Sequence, residues 1–166
     1  MTLIDVEFGH TENPVDTIEQ LASFNDWSFE RQAEDEITIN VDGRMCDYNL
    51  SLSWMEELES LHLACAFELK VPQQRRTDVM HLLALINEQM WMGHFDLWSQ
   101  EGMIMYRHGL PLPGDTATSE RQCAMMIQTA VEACERYYQA FQFVVWAGKK
   151  PSEALAEALF ETAGQA

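Results

Sequence analysis

The chain has 166 residues, with 27 acidic against 10 basic side chains and a formal net charge of −17. Such an excess of carboxylates excludes a nucleic-acid binder, whose partner's phosphates demand basic surface, and argues equally against an anionic membrane. An apolar fraction of 47% with five tryptophans is that of a globular protein, and residues 1–166 are long enough to bury a core as one domain.

The start, Met1-Thr2-Leu3-Ile4-Asp5-Val6-Glu7, is acidic and lacks the basic first residues and long apolar run of a signal peptide. The longest apolar stretch, Ala140 to Ala147 with Gln142 inside it, is far short of the ~20 residues a membrane span needs. The expected location is therefore the cytoplasm. Cys46, Cys65, Cys123 and Cys134 form no Cys-x-x-Cys pair, and each falls in an apolar pattern, which predicts buried free thiols rather than a disulfide framework.

Residues 1–12 show no period and are expected to form a loose arm. Asn13-Pro14-Val15-Asp16 then has the chemistry of a helix start: a capping side chain, proline at the first helical position and an acid in the first turn. Ile18, Leu21 and Ala22 supply one apolar edge, and the helix should end near Asn25.

Four strand-like runs follow. Trp27 and Phe29 alternate with Ser28 and Glu30; beyond the acidic turn 34–36, Ile37, Ile39 and Val41 alternate with Thr38, Asn40 and Asp42. Asp42-Gly43 signals a hairpin. Tyr48, Leu50, Leu52 and Trp54 form the apolar side of a third run; Leu61, Leu63, Cys65, Phe67 and Leu69 form that of a fourth, which Val71-Pro72 ends. This alternation predicts antiparallel strands with one buried face.

Val79, Leu82, Leu83, Ile86 and Met90 share one helical face, with Thr77 expected as N-cap and Asn87 near the end of the face. Met90, Trp91 and Met92 are expected to close this helix, and Gly93 to reverse the chain. Two runs, 94–99 and 103–108, then make a hairpin about Gln100-Glu101-Gly102. After the proline-rich break at 110–114, the C-terminal helices occupy 118–161. Ser119 and Gln122 form a capping box for a long helix. Its first stripe is Cys123, Ile127, Val131, Cys134, Tyr138, Phe141 and Val145. Met126, Ala130, Ala133, Tyr137, Ala140 and Val144 form a second. A run to Trp146 would span roughly 40 Å, so the sequence predicts either a break or a second stripe covered by a partner chain. Gly148 stops this helix, and Pro151-Ser152-Glu153 opens a last one with Leu155, Ala156 and Leu159 as its edge.

No nucleotide loop, nucleophile elbow or zinc-protease helix is present. The acids at 30 and 34–36 lack the alternating oxygen ligands of a calcium loop. Only His94 and His108, at the two outer ends of the hairpin, offer a metal pair, and a pair is short of a site. The residues thus predict no catalytic group, no cofactor and no metal. The methionines and tryptophans point elsewhere: Trp54, Met90, Trp91, Met103, Met105 and Trp146 are the candidate partner-binding surface, since flexible thioethers adapt to varied apolar segments.

From Trp54 to Leu110 the ordered set Leu61-His62-Leu63, Cys65, Phe67, Val71-Pro72, Ile86-Asn87, Gly93-x-Phe95-x-Leu97, Gly102 and Tyr106-Arg107-His108 resembles the YbjN family of bacterial proteins. The resemblance implies an α+β fold, a curved antiparallel sheet packed against helices as in type III secretion chaperones, here with an extra C-terminal helix. It also implies a regulator of sensory transduction without enzymatic activity. The expected protein is a non-enzymatic, chaperone-like module that binds protein partners or peptide segments and forms a homodimer. The alternative is a small-molecule or metal-responsive sensor using His94 and His108.

Overall fold

The computed structural model describes residues 13–114 and 119–164; the expected arm at 1–12 lies outside them. Helix α1 (Pro14–Phe24) starts as its sequence requires, with the Asn13 side chain accepting from the Val15 N–H at 3.0 Å. Strand β1 (Ser28–Ala33) begins one residue later than the alternation suggests. Asp26 is left-handed at φ 57°, and the Trp27 N–H is still closing the turn onto the Ala22 carbonyl.

Strands β2 (Glu36–Asp42), β3 (Asp47–Met55) and β4 (Ser60–Lys70) bury every second residue, as the alternating pattern requires. The β2–β3 connection is a four-residue tip, 43–46, closed by the Asp42–Asp47 pair. Helix α2 (Arg76–Asn87) does not start from a Thr77 cap. A 3-10 turn at Gln73–Arg75 runs directly into it, so the first helical turn is already formed before Thr77 and no side chain caps it. The helix also stops at Asn87, which leaves Met90, Trp91 and Met92 in the loop beyond it.

Strands β5 (His94–Trp98) and β6 (Met103–Pro111) complete an antiparallel six-stranded sheet of order β1-β2-β3-β4-β6-β5. Asn87 reaches from the end of α2 to the edge strand. Its Oδ1 accepts from the Phe95 N–H at 2.9 Å and its Nδ2 donates to the Phe95 carbonyl at 3.0 Å.

Helix α3 (Glu120–Val145) is a single 26-residue helix opened by the Ser119–Gln122 capping box. It does not break, and all of its second stripe but the half-buried Ala133 is buried. Met126, Ala130, Tyr137, Ala140 and Val144 are buried within the chain, because α1, α2 and α4 pack around α3. Helix α4 (Pro151–Gly164) turns a different edge inward than its sequence suggests. Ala154, Leu155 and Ala158 are buried, Leu159 is half-buried and Ala156 is exposed. The small side chains at 154 and 158 allow close approach to α3.

One apolar cluster joins the inward residues of the sheet to the helices. Beneath β4, β5 and β6 it becomes aromatic. Phe95 lies within 5.4–5.9 Å, centroid to centroid, of Phe67, Tyr106, Tyr137 and Phe141; the Tyr106 and Tyr137 pairs are edge to face, the arrangement ring quadrupoles favour. The other face of the sheet contributes nothing to this cluster.

Candidate functional site

The structure disperses the six candidate residues. Trp54 points into the core and is 7% exposed. Met103 and Met105 lie on the outer face of the sheet, where Met105 pairs with Ala66 and Asp96 and is itself buried. Trp146 follows the end of α3 and is largely exposed. Met90 and Trp91 remain together, in the loop between α2 and β5.

That loop is fixed at both ends. The Gln89 and Met90 N–H groups bond back to Ile86 and Asn87 carbonyls at 3.0 and 3.2 Å. Gly93 reverses the chain at φ 71°, and the Tyr106 hydroxyl, buried beneath, donates to the Met92 carbonyl at 3.3 Å. Burial holds this phenol protonated, with its pKa pushed up to about 12, so it stays a donor. On this held backbone Trp91 is 99% exposed, with Met92 exposed beside it and Met90 half-buried. Between the loop and α3 is a shallow cleft of about 270 Å³ whose far wall is Ala133, Arg136 and Tyr137. The Arg136 guanidinium lies 5.6 Å from the Tyr137 ring centroid, within cation–π range.

Next to this cleft, and sharing Glu132 and Arg136 with it, is a cavity of about 700 Å³ between the β2–β3 tip, α3 and α4. The tip is tied to α3 by Glu135, whose Oε1 accepts from the N–H groups of Arg44 and Met45. This pairing across some ninety residues leaves no trace in local sequence pattern. A four-residue tip with a glycine and an arginine is its one hint.

On the outer sheet face Arg107 donates through Nε to His62 Nε2 at 3.2 Å and through a terminal nitrogen to Asp96 at 3.3 Å; His94 meets the same Asp96 oxygen at 3.1 Å. His62 is held below its ordinary pKa, first by burial, then by the Arg107 charge and by His94. The register pairs His94 with Arg107, and His108 with the inward residue Leu63. His94 and His108 thus occupy opposite faces of the sheet and do not form the metal pair the hairpin ends suggest. His108 is lowered mainly by burial, and its Nδ1 is buried without a hydrogen-bond partner. Among the described residues no three histidine, cysteine or acidic side chains are placed to hold a metal.

The thiols are free, with Cys65, Cys123 and Cys134 buried and Cys46 half-buried. Burial pushes Cys123 up to about 11 and raises Cys134, whose rise its neighbour Cys65 reinforces. Such thiols stay protonated at neutral pH and are poor nucleophiles. Among the described residues, no helix is long and apolar enough to cross a membrane.

An antiparallel sheet of six strands, backed on one face by helices, makes this an α+β protein. The chain belongs to the YbjN family: the family described as "Putative bacterial sensory transduction regulator" matches residues 14–143. Its fold is similar to that in the crystal structure of "YbjN, a putative transcription regulator from E. coli". The two share 13% identity with a TM-score of 0.52, over 72% of this chain and 84% of that one. None of the curated proteins matches the chain in sequence.

Proposed function

We propose that this protein is a non-enzymatic regulatory module of the cytoplasm that holds an apolar segment of a partner protein against Trp91, Met92 and the wall formed by Ala133 and Tyr137. The observation that carries this reading is the complete exposure of Trp91 on a loop whose backbone is bonded on both sides. A large indole on a fixed backbone gives contact area at low ordering cost, which is why tryptophan dominates binding hot spots. The methionines beside it adapt to more than one partner sequence. The family's description as a regulator supports the same reading. The unpaired carboxylates of the surface favour partners with basic flanks.

The test is site-specific photo-crosslinking from position 92 in bacterial cytosol, with Trp91→Ala as the comparison. The expected result is a small, repeatable set of crosslinked proteins that Trp91→Ala abolishes while the melting temperature is unchanged. An identical set from both proteins would remove Trp91 from the binding surface.

The homodimer that the family resemblance implies belongs to this proposal, and we place its contact at the free edge β1. Phe29 on that strand and Phe24 just before it are both exposed, and the edge's backbone groups invite a second strand. Sedimentation equilibrium of Phe29→Glu is expected to yield monomer where the parent sediments as dimer.

A further inference from the structure

The cavity between the β2–β3 tip, α3 and α4 has a charge arrangement that neither the fold nor partner binding requires. In a chain with 27 acids and 10 bases, an arginine has partners in excess. Arg31 pairs with Asp16 and Glu19, Arg107 with Asp96, and Lys149 with Glu157. Arg44 and Arg136, like Lys70, Arg75, Arg76, Arg121 and Lys150, take no part in such a pair among the described residues. Arg44 and Arg136 both line the cavity together with Asp42, Glu132 and Glu135, yet among the described residues neither guanidinium comes within 4.0 Å of a carboxylate.

The charges are held apart by other contacts. Glu135 is engaged by the two backbone N–H groups of the tip. Glu132 accepts from Gln128 Nε2 at 2.8 Å, and Arg136 lies beside the Tyr137 ring. Between them the wall is apolar, from Val131, Leu159 and Met45. Both signs of charge, unpaired with each other and separated by an apolar wall, complement a ligand that itself carries both signs on an apolar body.

We infer that this cavity binds a small zwitterion, an α-amino acid or a dipeptide with apolar side chains. Its carboxylate pairs with Arg44 and Arg136, whose planar forks match a carboxylate in two bonds each. Its ammonium faces Asp42 and Glu132, and its side chain lies on Val131 and Leu159. A volume of about 700 Å³ is within the ordinary range for small-ligand sites. The inference is independent of the Trp91 reading, because Arg44 and Asp42 line this cavity and not the neighbouring cleft.

The test is ligand-observed NMR titration of the full chain with L-leucine, L-phenylalanine and Leu-Leu, against N-acetyl-leucine and leucinamide. Saturable binding of at least one free zwitterion is expected, at a Kd of about 1 mM or tighter. Blocking either charge should weaken it by about tenfold, the worth of one charge-assisted contact. Arg44→Gln should weaken all carboxylate-bearing probes and Asp42→Asn all ammonium-bearing ones, each with an unchanged melting temperature, since both side chains are exposed. Saturation by leucine but not Leu-Leu identifies a free amino acid as the ligand, and the converse a dipeptide. Equal binding of blocked and free probes overturns the inference, as does the absence of saturation by any zwitterion up to about 10 mM or a Kd unmoved by both substitutions.

Discussion

Two aromatic regions of this molecule lie back to back and differ in almost everything but composition. Under β4, β5 and β6, Phe67, Phe95, Tyr106, Tyr138 and Phe141 surround one another at 5.1–5.8 Å. On the far side of Tyr137, Trp91 has water around it. Tyr137 belongs to both: its ring meets Phe95 at 5.9 Å, and it also lines the cleft under Trp91. The first region stabilises the fold through burial and edge-to-face contacts. The second leaves its apolar area in water, and folding gains nothing from it. A residue that contributes so little to its own chain is free to contribute to another.

The sharpest way to break that comparison is Phe95→Ala. Removing a ring with four aromatic neighbours should cost about 3–5 kcal/mol, read as a lowered denaturant midpoint with an unchanged slope. Asn87→Ala comes next. It leaves the Phe95 N–H and carbonyl without their side-chain partner, and the expected loss is about 1–3 kcal/mol. Hydrogen exchange should localise that loss to β5. Trp91→Ala should sit at the other extreme, within about 0.5 kcal/mol of the parent in stability. A large destabilisation by Trp91→Ala would show the indole to be structural and erase the contrast.

The smallest effect concerns the outer sheet face. His62 titrates below its ordinary value in the folded chain, so below about pH 6.5 the unfolded chain binds more protons and stability is lost as the pH falls. Above that value both states are neutral and the effect vanishes. His62→Gln should therefore lose less stability than the parent between about pH 7.5 and about pH 5.5, measured by denaturation at each pH.

The parts of this fold legible in the sequence are those fixed by local chemistry. Asn13-Pro14 had to open a helix, Ser119 with Gln122 had to cap one, and β2 to β4 show their buried face in strict alternation. The misread parts depend on distant chain. Periodicity shows that α3 has two apolar stripes, but not that α1, α2 and α4 cover the second. The apolar face of α2 runs on to Met90, but the helix ends at Asn87, whose side chain bonds the Phe95 backbone. His94 and His108 stand at the two ends of the hairpin in sequence, whereas a register of one residue puts them on opposite faces. As for the site, the Met90-Trp91-Met92 run was visible as chemistry, but not which of the three would point into water. Arg44 carries only the faint hint of a short glycine-containing tip, since its cavity is built by Glu135 holding that tip from another part of the chain.

The hold of Asn87 on Phe95 also sets how copies of this sheet can add to one another. An open sheet has two rims, and a chain that offers both can stack without end into a fibre. Here the rim at β5 is plugged by an amide from the chain's own helix, so the rim at β1 is the one left for an incoming strand. Two molecules that joined there would use up the one open edge each has among the described residues. In the proposed dimer growth would stop at two, and the asparagine at the opposite rim would be what closes the pair.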